Sequence, residues 1–495
     1  MIGAEWAKFR TVRGWVLAAV VAAAAIVGLG IGGGRQGSCY GNSCAPPLGP
    51  GSEAVSDNFY FAHQGLTGNG SITARVTSLT SAVPTPRQGF RRVVVPWAKG
   101  GIILKASLRE GSAYAAIMVT GSHGVRMQDD FTGDIAGPAT GDGWLRLIRN
   151  GPVITGYASP DGVRWARVGA VTLPALPTTV QGGLFATSPQ YSQTSLGVAS
   201  ISGSLSQDTV TFDHVALAWP GGTGSLAGMN VGGSSGGPAS GPPVGYTHTG
   251  GTGDAGQFTL MGSGDIAPAT SGPGGTGPGV TLAPTLIGTF VALIVLAVVG
   301  TMFVTTEYRR GLIRVTLAAC PRRGRVLAAK AAVVGLVAFA AGLAGTAVAV
   351  PLGQRMLRSH GVYISPVTTL TEVRVIIGTA AAIAVCAVLA VAIGTVLRRG
   401  AAAVAAVFAL IVVPYMLAVT TPVVPLSVSD WLMRVTPAAA FAVQQTVIQY
   451  PQVDDVYASA YGYFPLEAWA GLGVLCAWTA LALASAYLVL NRRDA

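Results

Sequence analysis

The sequence predicts an α-helical polytopic membrane protein with six transmembrane helices and an all-β, jelly-roll-like sandwich inserted between the first two. Three observations carry that prediction. Hydrophobic residues make up 51% of the 495 and charged residues only 10%, whereas a soluble chain carries about 25% charged residues. Six stretches, 14–33, 283–304, 328–350, 374–397, 402–420 and 468–490, are apolar and nearly free of charge. Each meets the requirement of roughly 20 residues for a helix crossing about 30 Å of hydrocarbon. The long polar section between the first two has strand periodicity instead.

The first span occupies 14–34. Reading it as a cleaved signal peptide would leave five spans and upset the charge balance of the loops. From 35 to 220 the pattern changes. Ser71-Ile72-Thr73-Ala74-Arg75-Val76-Thr77 alternates polar and apolar residues, as does part of Trp144-Leu145-Arg146-Leu147, which lays one face on a core and the other in water. Asn150-Gly151 and Asp161-Gly162 separate three such runs at hairpin spacing. Short strands with frequent turns indicate a two-sheet sandwich. Residues 221–281 are rich in Gly, Ser, Pro and Thr and read as a flexible tether, with Gln257 to Met261 as one further candidate strand. The remaining five spans fill 282–495.

Orientation follows from the basic residues. Fourteen Lys and Arg flank the span ends on the side of Lys8, Arg309, Arg398 and Arg492, against four on the other, Arg355, Arg358, Arg374 and Arg434. The positive-inside rule then makes the first side cytoplasmic, with both termini, and places 38–281 outside the plasma membrane. The net charge of +11 belongs to these loops, because residues 34–281 hold thirteen basic and twelve acidic residues. A nucleic-acid partner is therefore not expected. Cys39 and Cys44 fall just outside the first span, where disulfides persist. A bridge over so short a loop would stiffen the neck, with free thiols as the alternative.

Several chemistries are excluded. A P-loop needs lysine followed by Ser or Thr, whose hydroxyl binds magnesium; Lys8, Lys99, Lys105 and Lys330 are followed by Phe9, Gly100, Ala106 and Ala331. Gly28-Leu29-Gly30-Ile31-Gly32-Gly33 spells a dinucleotide fingerprint but ends an apolar helix with no strand before it, which favours close packing. The sandwich has two glutamates, Glu53 and Glu110, in unlike contexts, not the paired carboxylates of a glycosidase. Asp129, Asp130 and Asp134 read as a solvated acidic loop before a calcium site, and the histidines show no metal spacing.

Glu307-Tyr308-Arg309-Arg310-Gly311-Leu312-Ile313-Arg314, continuing through Pro321-Arg322-Arg323-Gly324-Arg325 to Lys330, resembles the cytoplasmic loop of type-2 ATP-binding-cassette (ABC) exporter permeases, in particular actinobacterial ones with a large inserted extracellular domain. Glu5-Trp6-Ala7-Lys8-Phe9-Arg10 resembles the amphipathic helix that leads into the first span of that family, here residues 1–13. The sandwich is similar to concanavalin A-like, laminin-G-like domains at Trp97 to Leu104 and Tyr157 to Trp165.

The resemblance implies a non-catalytic permease subunit, without a cofactor of its own, served by a separate ATPase that binds ATP and magnesium. It implies a homodimer or heterodimer of permeases in the lipid bilayer and leaves open a glycan or protein ligand for the sandwich. Substrate and direction, import or export, stay open. Within the loop 305–327, a helix from Glu307 is expected to dock in the ATPase. Glu307 and Arg310 would bond at the rim, and Leu312, Val315 and Leu317 would be buried, among the coupling residues Tyr308, Arg309, Gly311, Arg314, Pro321, Arg322 and Arg323. The segment 422–466, with Trp431, Pro437, Phe441, Gln444 and Gln445, resembles the outward re-entrant helices of these exporters. The alternative function is a carbohydrate-binding adhesin or sensor anchored by the spans, although one span would suffice for anchoring.

Overall fold

The computed structural model describes residues 1–33, 46–85, 89–138, 143–194, 201–220, 225–232, 245–249, 256–269, 281–313, 322–419, 424–453, 457, 459 and 462–492. Cys39 and Cys44 lie outside them. Among the described residues six helices are long and apolar enough to cross a membrane, close to the six expected stretches. A short helix α1 (Ile2–Thr11) turns at Val12 into the first, α2 (Arg13–Gly33). After the β region come α3 (Ile287–Arg309), α4 (Arg323–Ser359), α5 (Thr369–Leu397) and α6 (Gly400–Val419). A short α7 (Leu426–Val435) and a 3-10 segment (Pro437–Gln444) lead to α8 (Ala468–Arg492). With 37 residues, α4 is about 55 Å long and overshoots the hydrocarbon layer. The centre of the bundle is α5, which packs on α3, α4 and α8.

Two glycines of the Gly28–Gly33 run, Gly30 and Gly33, are packing contacts, while Gly28 and Gly32 face open space. A β-carbon on Gly30 would stand 2.5 Å from the Thr285 carbonyl oxygen, and one on Gly33 would stand 2.2 Å from that of Pro284. Only glycine lets α2 approach the start of α3 so closely.

The β region is built on two antiparallel sheets face to face, with two smaller two-stranded pairings, one of them Tyr191–Thr194 with Ile201–Ser204. One large sheet runs in the order Ala166–Thr172, Val153–Ser159, Gly143–Asn150, Gly70–Pro84, Gln207–Ala218, Gln257–Gly262, Gly245–Thr249, with Phe90–Val93 also paired to Gly70–Pro84. The other runs Ala227–Val231, Phe59–Thr67, Thr179–Thr187, Lys99–Lys105, Tyr114–Thr120, Val125–Asp129, Gly133–Ala136. The alternating pattern sets the faces as expected. Ile72, Ala74, Val76, Leu145 and Leu147 are buried in the core between the sheets, and Gly151 and Gly162 take positive φ at the two turns.

The stretch 221–281, expected to be a tether, supplies four strands. Ala227–Val231 edges one sheet, Gly245–Thr249 and Gln257–Gly262 extend the other, and Ile266–Pro268 pairs with Val55–Asp57. The sandwich thus closes where the chain enters and leaves it. This two-stranded ribbon helps cover a second core on the outer face of the second sheet, built from Phe59, Phe61, Tyr114, Phe131 and Phe185. Two buried ion pairs hold it there. Lys105 Nζ lies 2.5 Å from Asp57 Oδ2, and Lys99 Nζ lies 2.7 Å from Asp265 Oδ1.

Candidate functional site

The residues expected to couple to an ATPase cluster where α3 ends. Glu307, Tyr308 and Arg309 form the last turn of α3 rather than a separate helix. Arg310 and Gly311 close it, their amides donating to the carbonyls of Thr306 and Tyr308, with Gly311 at φ +67°, the left-handed stop that glycine allows. Beyond this stop Ile313 turns back and is buried. Arg314, Val315, Leu317 and Pro321 lie outside the described residues.

Two faces result. Arg309, Arg310, Leu312, Arg322 and Arg325 are exposed and form a basic rim. Glu307 points the other way and is only 5% exposed, a correction to its expected place at the rim. Its Oε1 accepts from Lys8 Nζ of α1 and from Lys330 Nζ of α4, both at 2.7 Å. Lys330 also donates to Glu5 at 2.9 Å, and Lys8 to Glu5 at 3.4 Å. Two carboxylates and two ammonium groups therefore neutralise one another where α1, α3 and α4 meet. The Phe303 ring lies 4.9 Å from Lys330 Nζ and against Trp15 and Phe9, so the cluster has an aromatic wall. Although burial works against the Lys8 ammonium, its bonds to Glu307 and Glu5 hold its pKa above the ordinary lysine value. Nearby, Arg398 at the end of α5 stacks on Tyr308 with 5.2 Å to the ring centroid. Arg323 donates to the Leu490 carbonyl of α8. Three long helices, α2, α4 and α5, thus meet α3 at this end, and α8 joins them through the first residue of α4.

The cluster is the feature that sequence reasoning missed. A visible signal existed, because Lys330 lies inside an apolar stretch, and an ionisable residue within a span calls for a partner.

At the opposite end, α7 and the 3-10 segment fill the space between α5, α6 and α8. Trp431 is exposed. Thr436 caps the 3-10 segment through its hydroxyl, and Pro437 to Val443 are buried. The segment is built of small residues, Ala438, Ala439, Ala440 and Ala442, with the Phe441 ring tilted against Tyr415, centroids 4.2 Å apart. Gln444 donates to the Thr289 hydroxyl at 3.1 Å. Gln445 accepts from the Phe464 amide at 2.8 Å through its side chain and from Arg374 through its carbonyl. The sandwich touches the loop that follows, where Gln452 Nε2 donates to the carbonyls of Phe131 and Thr132 at 3.1 and 3.3 Å.

In the sandwich, Asp134 bonds Arg126 and Gln128, while Asp130 accepts from the Tyr114 amide. Among the described residues no group of three or more His, Cys, Asp or Glu is arranged to hold a metal ion.

Residues 127–495 match a family model described as ABC-2 family transporter protein. No curated protein matches the chain. Among solved structures, a functionally unknown protein from Saccharomyces cerevisiae aligns at 16% identity and a TM-score of 0.19, over 33% of this chain and 75% of that one. SCP-B, a member of the Eqolisin family of peptidases solved with the tripeptide Ala-Ile-His, aligns at 7% identity and a TM-score of 0.24, over 42% of this chain and 98% of that one. Neither likeness carries an argument about this chain.

Proposed function

The chain belongs to the ABC-2 transporter family, and from that membership we propose that it is the permease subunit of an ABC exporter, driven by ATP and magnesium bound in a separate ATPase. The observation that supports this reading best is the division of labour around Glu307. The buried cluster joins α1, α3 and α4 into one unit, while Arg309, Arg310, Leu312, Arg322 and Arg325 face outward beside it. A push on this rim reaches three helices at once, because their ends are held by charge-assisted bonds in a setting with little competing water. The positive-inside bias puts the rim in the cytoplasm, where an ATPase would dock, and the sandwich outside.

Two copies of the chain, or this chain and a related one, would enclose the pathway, with the buried 3-10 segment near its outer mouth. The chain itself hydrolyses nothing in this reading. Its largely uncharged spans suit an amphipathic cargo better than a small ion, whose path would call for intramembrane charges.

Arg309→Glu with Arg310→Glu should leave expression and membrane insertion intact and abolish co-purification of the ATPase, since both side chains are exposed. Co-purification and transport at wild-type yield would reduce the rim to a topology signal and sink the coupling assignment.

A further inference from the structure

A cleft of about 390 Å³ opens at the sandwich end of the bundle, between the first turns of α5, the chain leaving the 3-10 segment and the start of α8. We propose that it binds the headgroup of a zwitterionic phospholipid, a phosphodiester linked to an ammonium group, with the acyl chains running down the outside of α5. The proposal does not depend on ATPase coupling and stands on the lining of this cleft.

The lining holds one group for each part of such a molecule. Arg374 and Glu467 both face the cleft, yet among the described residues no ion pair joins them. Arg374 uses one nitrogen on the Gln445 carbonyl and leaves its Nε buried without a partner. An unmet donor of that kind costs stability unless an acceptor arrives, and a phosphate oxygen fits the guanidinium fork. Across the cleft, Glu467 is exposed and Trp469 is 60% exposed. A carboxylate beside an open indole is a site for an ammonium group, and a simple anion would be repelled by Glu467.

The membrane side supplies the rest. Leu370, Val373 and Ile377 are 81%, 45% and 45% exposed, and their spacing places them on one stripe of α5. Arg374 lies at the edge of that stripe, so a headgroup held by its guanidinium leaves the chains on exposed apolar side chains. Trp469, at the first turn of α8, is of the type that settles at headgroup level.

The test uses the delipidated full-length chain in detergent and native mass spectrometry with three probes: dioleoylphosphatidylethanolamine, dioleoylphosphatidylglycerol and soluble glycerophosphoethanolamine. Wild type should retain one phosphatidylethanolamine about five-fold more tightly than phosphatidylglycerol. Glu467→Gln and Trp469→Leu, both at exposed positions, should erase that preference while phosphatidylglycerol binding and thermal stability hold. Arg374→Gln should weaken both lipids. The two exposed variants decide the matter even if Arg374→Gln fails to fold through loss of the Gln445 bond. Equal retention of the two lipids by wild type, or a preference that survives in both exposed variants, overturns the site. Glycerophosphoethanolamine binding as tightly as the lipid overturns the membrane source of the ligand.

Discussion

Buried charges hold both halves of this chain together, and they do so in different ways. In the sandwich each lysine has its own carboxylate: Lys105 with Asp57, both 0% exposed, and Lys99 with Asp265. The two aspartates come from the ribbon where the chain enters and leaves the domain, and the lysines from the two ends of one strand, so the pairs fasten ribbon to sheet. At the basic end of the bundle the partners are shared. Glu307 Oε1 serves Lys8 and Lys330 together, and Glu5 contacts both lysines again. Losing one group from an exclusive pair strands its partner in a low-dielectric interior, whereas losing one from a shared cluster leaves each remaining charge a neighbour. Burial alone therefore does not set the worth of these contacts; the number of alternative partners does.

The largest effect should come from breaking the exclusive pair. Lys105→Met leaves Asp57 with only the Gly111 amide, enclosed by the rings of Phe59, Tyr114 and Phe131 that lie 5.6 to 6.0 Å from the lysine nitrogen. A loss of about 3–5 kcal/mol is expected in unfolding of the sandwich followed by tryptophan fluorescence. Adding Asp57→Leu should restore most of it, because an apolar pair of similar volume avoids desolvation of both charges. A single-variant loss below about 1 kcal/mol would mean that the pair does not anchor the ribbon.

A smaller effect is expected where partners are shared. Glu307→Gln should lower stability of the detergent-solubilised bundle by about 1–3 kcal/mol, with Glu5 still bonded to Lys330 at 2.9 Å. The comparison is sharpened by Glu5→Gln in the same chain. If the carboxylates back each other up, the double variant should lose more than the sum of the single losses, a coupling measured by a double-mutant cycle. Simple additivity would contradict sharing.

These contacts also mark what could be read from the sequence. The spans were legible because hydropathy is a local property, and the Ile72–Val76 and Leu145–Leu147 faces because alternation is local too. Within 221–281 the alternation at Gln257–Met261 makes one strand legible, Gln257–Gly262, while the others are hidden by their composition. Ala227–Val231 becomes a strand only by pairing with Phe59–Thr67, a contact that no window of adjacent residues contains. The resemblance, not any local pattern, puts Glu307 at the rim of an ATPase cleft. Helical phase argues otherwise, since Glu307 lies one turn beyond Phe303, which is fully buried. Lys330 is legible as a charge inside an apolar stretch, but its pairing with Glu5 needs α1 folded back against α4, which periodicity does not report.

The smallest effect, and the last test of the comparison, concerns a buried carboxyl with no cation paired to it among the described residues. Asp208 is 0% exposed, and neither carboxylate oxygen has a hydrogen-bond partner of good geometry, although the amides of Asp208, Gly262 and Thr187 face it. Burial outweighs those amides and pushes its pKa well above the usual 3.8. A carboxyl raised in the folded state contributes stability that is complete below its unfolded pKa and lost as pH rises through the folded value. Asp208→Asn replaces it with a near-isosteric group that does not ionise in this range. Wild type and variant should therefore unfold alike at the acidic end, with the variant gaining progressively as pH climbs from about 4 toward neutrality. Working with the difference between the two chains removes the contributions of Asp57, Asp129 and Asp130, which burial also raises. A difference independent of pH would mean that Asp208 ionises normally in the fold. A wild type that gains on the variant with rising pH would mean that the facing amides outweigh burial and hold the carboxylate ionised.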